Sequence, residues 1–103
     1  MEVQSHRVLD YSHTKNPGDF FITSAGGDGV RGLLFLCPCG CGDLCGIRVN
    51  DSGTTESNCW AWDRNFDAPT CTPSIEILGK LQDDGSFPWH WHGYLTNGIF
   101  RSC

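Results

Sequence analysis

The residues with the clearest chemical potential are four cysteines in one short run, Cys37-Pro38-Cys39-Gly40-Cys41-Gly42-Asp43-Leu44-Cys45, and two histidines much later in His90-Trp91-His92. Thiolate and imidazole are the ligands of structural zinc sites, which take four of them in a tetrahedron. Zinc is redox-inert and suits a mixture of cysteine and histidine. The pattern therefore predicts a zinc site that staples the fold.

The choice of ligands depends on backbone geometry. The two glycines that flank Cys41 let the chain wrap closely, and a strand through residues 89–95 points both histidines to one face. The spacing differs from the usual knuckle, which has two residues between its cysteines, and the histidines could instead be an ordinary surface pair. We predict as ligands Cys39, Cys41, His90 and His92, with Cys37 and Cys45 in reserve.

Composition limits the class of protein. A chain of 103 residues makes one domain, and a net charge of −5 with seven basic residues argues against a nucleic-acid partner. The sequence has no apolar run of membrane-spanning length and no secretory signal, so we expect a cytoplasmic protein that does not bind membranes. Thiols stay reduced there, which favours metal binding. The alternative is a secreted disulfide scaffold that has lost its signal, although seven cysteines leave one unpaired.

Short β-rich runs alternate with turn residues along the chain, and no segment has a helical period. This predicts an all-β fold, a small single domain of short antiparallel strands and hairpins. We expect residues 1–18 to be a flexible or weakly held N-terminal segment and residues 19–103 to form the domain. Asn97-Gly98 favours a type I′ hairpin turn, and Pro73 predicts an edge, a bulge or a late strand start.

Four separated segments together resemble a known family. They are Phe35–Gly42, Cys59–Trp62, Pro69-Thr70-Cys71-Thr72-Pro73-Ser74-Ile75 and Trp91–Phe100. The chain resembles small, cysteine-rich, mostly phage and prophage proteins of unknown function that are often labelled ammonia monooxygenase.

The resemblance implies a phage-encoded protein in the host cell cytoplasm. In such relatives a cysteine commonly precedes the histidine that opens the last hairpin, and here His90 is expected to substitute for it as a ligand. The label would imply an oxidoreductase. Ammonia oxidation is a membrane-bound copper reaction, however, and this sequence has no membrane span, so we do not adopt the label.

We favour a non-enzymatic function, a protein-interaction module with a protein partner, which would be a host factor if the chain is phage-encoded. Its contact surface would use the spare tryptophans, Trp60, Trp62, Trp89 and Trp91. One alternative is a metal-dependent hydrolase with an open zinc position and Asp43, Asp63 or Asp67 as general base. Another is a thiol switch that releases metal on oxidation.

Overall fold

The computed structural model describes residues 2–55, 58–78, 83–84 and 89–103. Within these ranges the chain forms nine strands and one short 3₁₀ helix, Tyr11–His13. The strands are β1 (Glu2–Gln4), β2 (His6–Arg7), β3 (Asp19–Ile22), β4 (Val30–Leu36), β5 (Leu44–Asn50), β6 (Ala61–Trp62), β7 (Cys71–Leu78), β8 (Trp89–Thr96) and β9 (Ile99–Ser102). The described residues include no helix that is long and apolar enough to cross a membrane.

The strands form two sheets. The first sheet has the order β1-β9-β8-β7-β6, and every neighbouring pair in it is antiparallel. The second has the order β2-β3-β4-β5, in which only β2 and β3 run parallel. The predicted all-β fold, a small single domain of short, mainly antiparallel strands, is confirmed.

One core lies between the two sheets. Phe35 and Val49 from the second sheet are fully buried, as are Leu95 and Phe100 from the first. The ring centroids of Phe35 and Phe100 lie 4.9 Å apart, and the Trp91 ring meets Phe100 edge-on at 5.9 Å. Alternation along each strand turns these apolar side chains inward. The side chains between them, such as those of His92 and Tyr94 on β8, therefore lie on the outer face of the first sheet.

The N-terminal segment, expected to be flexible or weakly held, supplies an edge strand to each sheet. Glu2–Gln4 pairs with β9, and His6–Arg7 pairs with β3. Ser5, between them, is buried, and its backbone N–H donates to the carbonyl of Gly98 at 2.8 Å. The chain thus crosses from one sheet to the other at Ser5.

Two local features shape the strands of the first sheet, a hairpin turn and an interruption in strand pairing. Asn97 and Gly98 both have positive φ, 49° and 75°, and close the β8–β9 hairpin as predicted. The pairing of β7 with β8 is interrupted between Cys71 and Ile75, around Pro73. Proline cannot donate to the ladder, which is why the sequence predicted a bulge or edge there. Ser74 lies inside this interruption.

Candidate functional site

Four side chains converge at one end of the first sheet. The sulfur atoms of Cys37, Cys39 and Cys41 and a ring nitrogen of His90 all lie within 4.8 Å of one another. Nε2 of His90 is 3.1 Å from Sγ of Cys39 and 2.9 Å from Sγ of Cys41. The edges of a zinc tetrahedron with these ligands would be about 3.5–3.8 Å. This cysteine–histidine cluster can hold a metal ion.

The loop that carries the thiols is fixed by its backbone. Cys37 follows the last residue of β4, and its N–H donates to the carbonyl of Asp43 at 2.9 Å. Gly40 and Gly42 have φ of 89° and 86°, a region that side chains disfavour, and this lets the chain turn twice within the run. The Asp43 N–H also points at Sγ of Cys41, 3.4 Å away. The glycines therefore allow three thiols to face one point.

The thiols differ in their protonation chemistry. Burial raises the pKa of the Cys37 thiol. Burial acts in the same direction on Cys39, but hydrogen bonds with the Cys37 and Cys41 thiols outweigh it, so the pKa of Cys39 is lowered. The pKa of Cys41 is raised, chiefly by desolvation. A bound cation would favour the thiolate form of all three.

The cluster differs from the predicted ligand set in one position. It contains Cys39, Cys41 and His90 as predicted, but its fourth member is the reserve Cys37 in place of His92. Side chains two residues apart on a strand start about 6.6 Å from each other, so His90 and His92 reach different points. The other reserve, Cys45, lies outside the cluster, with Sγ 3.9 Å from the Asp43 carbonyl.

His92 instead meets a serine. Its Nε2 lies 3.0 Å from Oγ of Ser74, and both side chains are half-buried. The register of β7 with β8 places Glu76 directly opposite His92, which makes Ser74 its diagonal neighbour. Diagonal neighbours on a sheet are within reach of an aromatic side chain. The β7–β8 pairing therefore brings hydroxyl and imidazole together.

A serine hydroxyl within hydrogen-bond distance of an imidazole is the arrangement of an activated nucleophile and its general base. In the tautomer that carries its proton on Nδ1, Nε2 of His92 accepts the hydrogen bond from the Ser74 hydroxyl. The separation of 3.0 Å falls within the range required for that proton transfer. With His92 taking its proton, the Ser74 hydroxyl can attack a carbonyl carbon.

A cleft lies further along the same face of β8, starting two residues beyond His92. Its volume is about 200 Å³, and it is lined by Tyr94, Thr96, Asn97, Ile99 and Arg101. Tyr94 follows His92 by two residues, so both side chains leave the same side of the strand. The Tyr94 side chain is exposed. The cleft can take one side chain of a bound peptide.

The predicted tryptophan surface is not assembled among the described side chains. Trp62 and Trp91 are only 3% and 6% exposed and belong to the core. Trp60 is half-buried and packs against that core. The side chain of Trp89 lies outside the part of the chain that the structure describes. Burial of two of these rings in the small core leaves them unavailable to a partner.

Of the three aspartates considered as general bases, Asp63 and Asp67 use their carboxylates in other contacts, and Asp43 contributes backbone contacts. Oδ1 of Asp63 accepts from the backbone N–H groups of Asn65 and Thr70 and so organises its loop. Oδ1 of Asp67 pairs with Arg7 at 3.3 Å on the surface. Asp43 uses its backbone carbonyl and N–H within the cysteine loop.

Ser74, the partner of His92, was not predicted as a site residue from the sequence. It lies in the Pro69–Ile75 segment of the family resemblance, and His92 lies in the Trp91–Phe100 segment. The Gly-x-Ser-x-Gly elbow that often signals a nucleophilic serine does not surround it. The partnership becomes visible only when β7 and β8 are paired.

Comparison with known proteins identifies one family. A family model described as "Bacterial ubiquitination-like system serine protease (BubE)" matches residues 6–103. No curated protein and no solved structure gives a significant match. The family description overturns two predictions made from the sequence, the non-enzymatic interaction module and the preference for a protein that is not an enzyme. It lends no support to a phage origin or to the ammonia monooxygenase label.

Proposed function

The chain belongs to the BubE family of serine proteases of the bacterial ubiquitination-like system, and we propose that it is a peptidase in which Ser74 is the nucleophile and His92 the general base. The observation that carries this proposal is the 3.0 Å separation between Ser74 Oγ and His92 Nε2 on the outer face of the first sheet. The family description and the geometry support the same chemistry independently.

In the acylation step, Ser74 Oγ attacks the scissile carbonyl carbon while its proton passes to Nε2 of His92. The resulting imidazolium gives that proton to the departing amine, so the C–N bond breaks and an ester forms on Ser74. Water then attacks the ester, with His92 again taking a proton and returning it to Oγ. The cycle releases a carboxylic acid and an amine and restores both residues.

A general base of this kind works best when a third group orients its ring. The residue opposite His92 in the β7–β8 register is Glu76, which is exposed on the same face. Directly opposed residues have Cβ atoms about 4.5–5.5 Å apart. We assign Glu76 the role of steering the imidazole and stabilising its charged form.

The cysteine–histidine cluster has a supporting role. We propose that Cys37, Cys39, Cys41 and His90 hold one zinc ion, which would cross-link the cysteine loop to β8. Four protein ligands leave no open coordination position, which fits a structural site. His90 and His92 share one face of β8, so fixing His90 also restrains the segment that carries the base.

The family description also bears on the substrate. We propose that the substrate is a protein of a bacterial ubiquitination-like system. Cleavage would take place in the cytoplasm, where the cluster thiols stay reduced. The cleft lined by Tyr94, Ile99 and Arg101 would hold one residue beside the scissile bond. A shallow cleft of about 200 Å³ suits an extended peptide tail better than a folded surface.

The test is cleavage of a fusion in which a ubiquitin-like protein from such a system is followed by a reporter peptide. Protein purified under reducing conditions should release the reporter, and Ser74→Ala and His92→Ala should each reduce the rate by about 10³-fold or more. Ser12→Ala, which changes an exposed serine of the 3₁₀ helix, is the matched control. Retention of cleavage in Ser74→Ala would refute the proposal.

A further inference from the structure

Trp60 makes a contact with the proposed nucleophile that its sequence position did not suggest. Its indole Nε1–H donates a hydrogen bond to the backbone carbonyl of Ser74 at 3.3 Å. The two residues belong to different parts of the chain, fourteen positions apart. The contact reaches the nucleophile through its backbone and leaves its hydroxyl to His92.

The backbone of Trp60 is itself held by the opposite sheet. Its N–H donates to the carbonyl of Arg48 at 2.7 Å, and it forms a parallel bridge with Val49, which is fully buried. Trp60 therefore connects β5 in the second sheet with β7 in the first. Because Trp60 is anchored in this way, its indole can restrain the backbone of Ser74.

The contact falls where the pairing of β7 with its neighbouring strands is incomplete. On one side, the pairing of β7 with β8 is interrupted between Cys71 and Ile75. On the other, β6 pairs with β7 only at Ala61↔Thr72 and Trp62↔Cys71, so the ladder between described strands ends before Ser74. Pro73 has no N–H to contribute. The Trp60 indole supplies a hydrogen bond to a residue that lies outside the residue pairs of both registers.

We propose that Trp60 is a positioning residue, which fixes the backbone of Ser74 so that Oγ stays 3.0 Å from His92 Nε2. This inference rests on the proposed peptidase function. A single neutral hydrogen bond is modest, so its loss should slow the reaction of Ser74 without abolishing it. Substrate affinity should not change, because Trp60 does not line the cleft.

The chain offers a matched control two residues away. Trp62 is buried, and its Nε1 has no hydrogen-bond partner among the described residues. Trp60→Phe and Trp62→Phe therefore make the same chemical change, but only the first removes a hydrogen bond to Ser74. Replacing Trp60 with benzothienylalanine, which keeps the bicyclic ring and lacks only the N–H, provides a second variant if Trp60→Phe does not fold.

The experiment measures the covalent reaction of Ser74 with a fluorophosphonate probe, separating the maximal rate from the probe affinity and recording the final stoichiometry by intact mass. We expect removal of the Trp60 N–H to lower the maximal rate about three- to tenfold, with unchanged affinity and full final labelling. Trp62→Phe should react at the original rate.

A merely structural role would lower the final stoichiometry or slow both variants alike, and either result would overturn the inference, as would an unchanged rate in the Trp60 variants. If the unsubstituted protein is not labelled at Ser74, the proposed function fails and the inference fails with it. Labelling at Ser74 with no effect of Trp60 rejects the inference alone.

Discussion

His90 and His92 lie two residues apart on the same face of β8, yet their ring nitrogens face different partners. Nε2 of His90 is 2.9 Å from Sγ of Cys41, and Nε2 of His92 is 3.0 Å from Oγ of Ser74. One strand thus carries a member of the cysteine–histidine cluster and the proposed general base. The spacing of about 6.6 Å between alternate strand residues separates the two sites along β8.

The first prediction concerns the metal. Protein purified under reducing conditions should contain about one zinc ion per chain, measured by elemental mass spectrometry. Cys39→Ser should lose the metal and lower the unfolding midpoint by at least about 5 °C, equivalent to ~1 kcal/mol in a domain of this size. Cys103→Ser, which changes an exposed terminal thiol, is the control and should keep both the metal and the original unfolding midpoint. Equal metal content in the two variants would contradict the assigned ligands.

The second prediction concerns Glu76. Glu76→Gln keeps the shape of the side chain but removes the charge that would stabilise the His92 imidazolium, so the maximal cleavage rate should fall at least about tenfold. Asp28→Asn is the control, because it removes the charge of an exposed carboxylate in the turn before β4, where the remaining side-chain oxygen can still accept from the Val30 N–H at 3.1 Å. Steady-state kinetics of both variants would check this. A rate equal to that of Asp28→Asn would remove Glu76 from the mechanism.

The third prediction concerns Gly93, which lies between His92 and Tyr94 on β8. A Cβ at this position would lie 2.2 Å from the Arg101 carbonyl oxygen and 2.7 Å from the Trp91 ring. Gly93→Ala must therefore displace β8 or β9 and should lower the free energy of unfolding by about 1–3 kcal/mol. Gly27→Ala, where a Cβ would meet nothing within 4 Å, should leave it nearly unchanged. Thermal unfolding of both variants decides the matter, and equal midpoints would reject this packing.

Features that depend on neighbouring residues could be predicted from the sequence. The Asn97-Gly98 turn follows from the positive φ that both residues accept, and the interruption around Pro73 follows from its missing N–H. The convergence of Cys39, Cys41 and His90 followed from ligand chemistry and strand alternation. In each case the determining physics acts over a few residues or through a specific ligand preference.

Features that depend on how strands pair could not be predicted. The choice of Cys37 over His92 as the fourth member of the cluster depends on which strand each side chain faces. Ser74 becomes a neighbour of His92 only through the β7–β8 register. The tryptophans were predicted to form a contact surface, because their number can be read from the sequence whereas the core that buries Trp62 and Trp91 cannot.

The sharpest test of the Ser74–His92 pair is to map, by peptide mass spectrometry, the residue that a fluorophosphonate labels covalently. We expect one phosphonylated residue, Ser74, and loss of the label in His92→Ala while His6→Ala, at an exposed histidine of β2, keeps it. Thermal unfolding checks that both variants remain folded. Labelling at another serine, or undiminished labelling of Ser74 in folded His92→Ala, would show that Ser74 and His92 do not act as nucleophile and base.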